Sequence, residues 1–248
     1  MRTPQGRNLT YSMVEALGEA IVTGAYDSRP FPTEAELAKQ FGASRSVTRE
    51  AVKMLTAKGL LRARQRQGTS VEPEAYWNLL DPEVLRWLLE RKFSLQLLSH
   101  FTEVRLAIEP MAATLAARNA DRVALSELQH GIDRMRAAAN GEDDHLAADI
   151  AFHVAVLNAT GNPFYAQLRG LVNTALRISI RYTNRIKGRT ASVPAHEKVF
   201  DAIVARDAKG ASEAMRAIIL EVQKLVENGA TARASRGRTR ARRSPSRG

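Results

Sequence analysis

The sequence predicts a mainly α chain in two parts, a small N-terminal unit of short helices closed by a two-stranded wing and an all-α antiparallel helical bundle behind it. Three observations carry that reading. Between Thr33 and Val71 two short helical stretches are punctuated by Gly42 and Gly59 and followed by a pair of strand-like segments. Beyond Leu79 the apolar residues recur at three- and four-residue spacing, and no stretch alternates as a strand would. Charge is partitioned too: of the net +11 over 248 residues, segment 229–248 holds seven Arg and no acid, whereas 79–228 is close to balance.

Taken in order, residues 1–8 are polar and expected to be a flexible N-terminus. Val14, Leu17 and Ile21 form a helical stripe ending at Gly24, a supporting helix, and Tyr26 to Pro30 reads as loop. Thr33 and Glu36 have the spacing of a capping box for a second helix, and Gly42, two positions past Gln40, supplies the left-handed residue that ends it. Ser44 is the N-cap of a third helix. At 100° per residue Val47, Ala51, Met54 and Leu55 fall on one side of it, and Arg45, Arg49 and Lys53 on the other. Gly59 closes this helix. Leu60 to Ala63, the turn Arg64 to Gly68, and Thr69 to Val71 then read as a wing with a basic tip.

Two short helices joined by a tight glycine turn, the second carrying Arg at its exposed N-terminal end, form a winged helix-turn-helix, which sets one helix in the DNA major groove. From Ala43 to Ser70 the basic residues Arg45, Arg49, Lys53, Lys58, Arg62, Arg64 and Arg66 stand against the single acid Glu50. A charge run alone usually means a solvated face, but charge on a recognition helix and a wing together suits phosphate.

The segment Pro32 to Val71 resembles the winged-helix domain of the GntR family of bacterial transcription regulators. It carries P-T-E-A-E-L, S-R-S-V-T-R-E-A, L-T-A-K-G-L and the wing end G-T-S-V. The resemblance implies operator contacts from Ser44, Arg45, Ser46 and Arg49, with Gly68 letting the wing tip approach the minor groove. The full candidate set for DNA is Thr33, Ser44, Arg45, Ser46, Thr48, Arg49, Lys53, Arg66, Gln67 and Gly68. Ala35 stands where some relatives carry a DNA-contacting Arg, and Val47-Thr48 replaces the commoner order Thr-Val, so base preference does not carry over.

Glu72-Pro73-Glu74 reads as the start of a linker, because Pro73 donates no hydrogen bond to a strand and biases its neighbour away from helix. Asp81-Pro82 is an N-cap followed by Pro at the first helical position. Helices follow from Ser94 to about Arg118 (with Pro110 kinking or breaking it), Asp121 to Ala139, Asp144 to Asn158, Pro163 to about Lys187, Val193 to Arg206 and Gly210 to Asn228. The expected division is 1–8 flexible, 9–72 DNA-binding, 73–80 linker, 81–228 helical bundle and 229–248 a disordered Arg-rich tail. The tail adds sequence-independent DNA affinity or serves only as a solubilising end.

Leu79 to Val226 resembles the FCD effector-binding domain of the FadR subfamily. The marks are E-V-R-L-A-I-E-P at Glu103 to Pro110, D-I-A-F-H at Asp149 to His153, G-N-P at Gly161 to Pro163 and H-E-K-V-F-D-A-I at His196 to Ile203. W-N-L-L-D-P-E-V-L-R-W at Trp77 to Trp87 is similar to regulators of galactonate and related sugar-acid operons.

Asp149 and His153 are one helical turn apart on the face that bears Leu146, Ile150 and Leu157, and His196 lies within the arc of Val193, Val199, Phe200 and Ile203. Spacing alone leaves two readings: a hydrogen-bonded Asp-His pair beside an unrelated core histidine, or a site for one divalent ion such as Zn²⁺, Ni²⁺ or Mn²⁺. The resemblance implies the second, with Asp149, His153 and His196 as ligands and Ile218 where such domains place a fourth, a His. Arg105 lies at the edge of the arc of Phe101, Val104, Ile108 and Ala112. Glu109, four residues on, is its internal partner in one reading; in the other, implied by the resemblance, Arg105 helps hold a carboxylate effector. Asn173 and Arg177, one turn apart, are further effector candidates, while His100, His130 and His145 read as surface or boundary residues.

Cysteine is absent, which excludes disulfides, thiolate metal sites and a Cys nucleophile. No apolar run approaches the ~18 residues of a membrane span, and Glu15 and Glu19 inside the first amphipathic stretch argue against a signal peptide. A cytoplasmic homodimeric transcription regulator is expected, a repressor released from a palindromic DNA operator by a small carboxylate, a sugar acid. Two alternatives compete with it: a metal-dependent hydrolytic enzyme, which lacks G-x-S-x-G, G-x-G-x-x-G and a complete H-E-x-x-H, and an architectural DNA binder driven by the tail.

Overall fold

The structure, a computed structural model, describes residues 4–64, 68–91, 95–174, 176, 177, 179 and 191–241. The chain divides into two compact units, Met1–Phe93 and Ser94–Gly248.

In the first unit α1 (Pro4–Val22) buries Met13, Val14, Leu17, Ile21 and Val22. It begins inside the segment expected to be flexible, since Pro is tolerated in a first helical turn. Thr33 and Glu36 cap α2 (Glu34–Phe41) reciprocally, and Gly42 at φ 58° ends it with its N–H directed at the last carbonyls. A residue with a Cβ is disfavoured at that angle. Ser44 then caps α3 (Arg45–Ala57), accepting from Val47 N–H at 3.3 Å. The buried stripe of α3 is Thr48, Ala51, Val52 and Leu55, turned by about one residue from the expected Val47, Ala51, Met54 and Leu55. Strands β1 (Leu61–Arg64) and β2 (Gly68–Val71) pair antiparallel, Leu61 opposite Val71 and Arg64 opposite Gly68.

The expected linker is instead part of this unit. Glu72 N–H continues the wing onto Leu60 O at 3.0 Å, Asn78 N–H bonds Lys58 O at 3.0 Å, and the Trp77 indole donates to Glu72 O at 2.8 Å. Asp81 caps α4 (Pro82–Arg91) through Glu83 N–H at 2.9 Å. Helix α4 packs on α1: Trp87 is fully buried against Gly18, where an added Cβ would come within 2.4 Å of the ring. Arg86 donates from Nη1 and Nη2 to the two carboxylate oxygens of Glu15 at 2.8 and 2.6 Å. The boundary expected after residue 80 therefore moves to 93, because the apolar face of α4 has its partner in front of it.

The second unit is all-helical in its described residues. Its helices are α5 (Leu95–Asn119), α6 (Arg122–Ala139), α7 (His145–Asn158), the short α8 (Pro163–Gln167), helical residues within 169–179, α9 (Val193–Val204) and α10 (Ala208–Ala241). Asp121, Asp144 and Asn162 cap α6, α7 and α8 through side-chain oxygens. Pro110 sits inside an unbroken α5. The helix expected from Pro163 to Lys187 is interrupted at Leu168, the C-cap of α8, and its end lies outside the described residues. Helix α5 lies along α10 and contacts α7 and α9, and α6 contacts α7 and α9, enclosing a core that includes Ala116, Ile132, Phe152, Leu157, Val199 and Met215. Backbone helix extends to Ala241, into the tail expected to be disordered, carried forward by residues without Pro between 208 and 241.

Candidate DNA-reading face and metal centre

Ser44, Arg45, Ser46, Arg49 and Lys53 are all exposed on the outward side of α3. Ser44 and Ser46 share a hydroxyl hydrogen bond of 2.9 Å at its start. Arg49 reaches back to Glu34 at 3.5 Å, a loose contact between exposed groups that phosphate can replace. Thr33 is exposed but occupied in the capping box, its hydroxyl 2.8 Å from Glu36. Gly68 is exposed at φ 83°, and Arg66 and Gln67 lie outside the described residues.

Thr48 leaves the set of DNA contacts. Its side chain is 0 % exposed and its hydroxyl donates to Ser44 O at 3.2 Å, so it braces the first turn of α3 from inside. Two of the counted cations are also spent internally. Lys58 lies 2.7 Å from Asp81 and 2.6 Å from Glu83; burial works against its charge, but the two carboxylates together raise its pKa. Arg62 pairs with Glu72.

In the bundle the three expected ligands come together and all are buried. His196 Nε2 is 3.0 Å from Asp149 Oδ1 and 3.4 Å from His153 Nε2, while His153 Nε2 is 3.4 Å from the same carboxylate oxygen. What turns the ring nitrogens is found on their far sides. His196 Nδ1 donates to Ser192 O at 2.8 Å, and His153 Nδ1 to Glu109 Oε2 at 2.5 Å. A carbonyl and a carboxylate only accept, so each Nδ1 carries the proton and, in the neutral rings, both Nε2 lone pairs aim at one point. Asp149 Oδ1 faces that point with no hydrogen bond of its own.

Arg105 is 2 % exposed and fully engaged with an internal anion: Nε donates to Glu109 Oε1 at 2.5 Å and Nη2 to Oε2 at 3.3 Å. It lies within the buried face of α5 rather than at its edge, and Val104, placed by the sequence in that arc, is exposed. In this arrangement Arg105 is not open to an effector. Burial opposes ionisation of Glu109, yet the guanidinium and His153 hold its carboxyl at about 2. Burial likewise opposes the charge on Asp149, but the His153 and His196 rings beside it, which can donate from Nε2 once protonated there, hold its carboxyl far below the usual carboxylate range. His153, disfavoured as a cation by burial, is pushed up to about 9 by Glu109 and Asp149.

The charges do not balance with neutral imidazoles: Glu109 and Asp149 outweigh Arg105 by one. A proton on His153 makes up the difference; a divalent cation at the converging lone pairs would displace that proton and leave the cluster with one positive charge, which suits an anionic ligand. The donor set, two imidazoles and one carboxylate, fits Zn²⁺, Ni²⁺ or Mn²⁺. Ile218 packs with the apolar core and supplies no fourth ligand. Asn173 and Arg177 are half-buried, His100 and His130 exposed and His145 half-buried. The residue that sequence reasoning missed is Glu109 as the partner of His153; its i,i+4 spacing from Arg105 revealed only half of its role.

Among the described residues no helix is long and apolar enough to cross a membrane. Residues 10–71 match the family of bacterial regulatory proteins, gntR family, and residues 100–221 match the FCD domain. The galactonate operon transcriptional repressor of Escherichia coli (strain K12) is 35% identical over 217 residues, covering 86% of this chain and 94% of its own. The HTH-type transcriptional regulator LutR of Bacillus subtilis (strain 168) is 31% identical over 194 residues, covering 75% and 86%. A solved structure of Streptococcus agalactiae GntR is 26% identical, covers 87% of this chain and 99% of its own, and superposes with a TM-score of 0.48. These relatives are regulators, which sets aside the hydrolytic and architectural alternatives. With its winged helix-turn-helix followed by an FCD domain, the chain belongs to the GntR family and is a DNA-binding transcription regulator of the FadR type.

Proposed function

We propose that the chain is a homodimeric repressor whose bundle holds one divalent ion on Asp149, His153 and His196 and is released from a palindromic operator by a small hydroxy-carboxylate, a sugar acid. The observation that carries the metal is the convergence of two Nε2 atoms 3.4 Å apart beside an oxygen of Asp149 that lacks a hydrogen bond. The bound ion would supply a Lewis-acidic point for an anionic ligand. Glu109 and Ser192 turn the two rings, Arg105 holds Glu109, and Arg177 and Asn173, half-buried, are the groups assigned to the effector carboxylate.

The sugar-acid class is supported by the 35% identity to a galactonate operon repressor. Dimerisation is supported by the recognition helix itself, since one helix reads few base pairs and two-fold symmetry doubles the contacts on a palindrome. Effector and DNA are then linked by one coupling free energy, equal in both directions. The test is a thermal-shift screen of galactonate, other sugar acids and dicarboxylates, with and without chelator, followed by DNA release measured by anisotropy. A sugar acid that raises the melting temperature only with metal and dissociates the DNA is expected. Stabilisation indifferent to chelator would remove the metal from effector binding, and no stabilisation by any sugar acid would remove that class.

A further inference from the structure

The Arg-rich stretch from residue 229 lies past both matched family regions. The FCD match stops at residue 221, and Val226 is buried among the residues whose side chains are described, which end at Glu227; the backbone stays helical to Ala241. From residue 229 the sequence contains only Gly, Ala, Ser, Thr, Pro and Arg, so this stretch of helix has no apolar face to bury. Of its seven arginines, four lie in the described helix. Arg233, Arg236 and Arg240 are separated by 3 and 4 positions, the spacing that lines residues along one helix face. Within the described helix, positions 233, 236 and 240 share that face and position 238 lies on the other side; Arg242, four positions after Arg238 in the sequence, is outside the described residues. Like charges at such spacing repel and work against the helix, a cost removed by a partner carrying a matching line of negative charge.

We infer that this extension is a second DNA-binding element, its row of arginines engaging the phosphates of duplex DNA. The inference rests on the chain being a DNA-binding regulator. Guanidinium forks suit phosphate. The stretch has no Leu, Phe or Trp to enter a lipid surface and no aromatic ring on which unpaired bases could stack, which favours a duplex over membranes and single strands.

The experiment compares the full chain, a deletion of 229–248, and two full-length double variants, R236Q/R240Q on the row and R238Q/R242Q off it. Anisotropy is measured across salt on a duplex selected from a random pool by the full chain, a scrambled duplex, and single-stranded RNA of equal length. The deletion should lower the slope of log K against log salt by about 0.9 for each phosphate it leaves without a cation, equally on both duplexes, with preference for the selected one unchanged. R236Q/R240Q should lower it more than R238Q/R242Q. Unchanged slopes with the selected duplex still preferred would overturn the inference and leave the α3 reading intact. Equal reductions from the two pairs would overturn the shared face, and a greater reduction on RNA would overturn duplex DNA as the partner.

Discussion

Charged side chains do opposite work in the two units. On α3 the groups that matter, Arg45, Arg49 and Lys53, are exposed, and Arg49 meets Glu34 only loosely, at 3.5 Å. In the bundle Arg105, Glu109, Asp149, His153 and His196 are all buried and tied to one another at separations of 2.5 to 3.4 Å. Exposed charge contributes through long-range attraction that salt screens; buried charge is costly alone and tolerable only when every member has its partner. The reading face should therefore lose function by increments, and the centre of the bundle as a whole.

The largest expected effect is at Glu109. Glu109→Gln leaves Arg105 buried without an anion and should cost the bundle about 3–5 kcal/mol, read by denaturant unfolding; a loss below about 1 kcal/mol would show that Arg105 finds another partner. Next comes the metal. Saturating Zn²⁺, Ni²⁺ or Mn²⁺ at about a hundred times its dissociation constant should stabilise the wild type by about 2.7 kcal/mol, and His196→Ala should remove that increment; an equal gain in the variant would place the ion elsewhere.

On the reading face, Arg49→Ala should weaken operator binding by about 1–3 kcal/mol without lowering the melting temperature, whereas Thr48→Val should disturb stability and leave base preference alone. An Arg49 variant with full affinity would break the contrast between the units.

The pH dependence sharpens it further. Because His153 is raised from 6.5 to about 9, the metal-free bundle has that proton's full stabilisation below about pH 6.5 and loses it as pH rises through 9. Stabilisation by added metal should grow over the same interval, since ion and proton compete. Melting curves from pH 6 to 10 that stay parallel with and without metal would contradict this. The smallest effect concerns Lys53 and Lys58. Lys53→Gln should lower the salt slope of DNA binding by about 0.9, and Lys58→Gln should not, because Asp81 and Glu83 already neutralise Lys58.

Much of the fold was legible because its signals are local. Thr33 with Glu36, Gly42, Ser44, Asp121 and Asp144 each act on backbone groups within a few residues, and each does what its type and position imply. Asp149 and His153 shared a face for the same reason. Less legible were polar residues that turn inward. Sequence spacing puts Thr48 outside and Arg105 at an edge, shows Glu109 only as a partner for Arg105, and sets both helical stripes about one residue off, because a polar side chain with an internal partner can occupy the core.

The sequence alone determined the caps, the helical repeats and the wing, since each depends on hydrogen bonds or spacing within one element or between neighbours in the chain. Only the tertiary structure decided that α4 belongs to the front unit through Trp87 and Gly18, that Lys58 is spent on Asp81 and Glu83, and that Glu109 turns His153 from another helix. A helical wheel shows which face a residue is on; what meets that face is set by chain far away in sequence, where burial makes pairing obligatory.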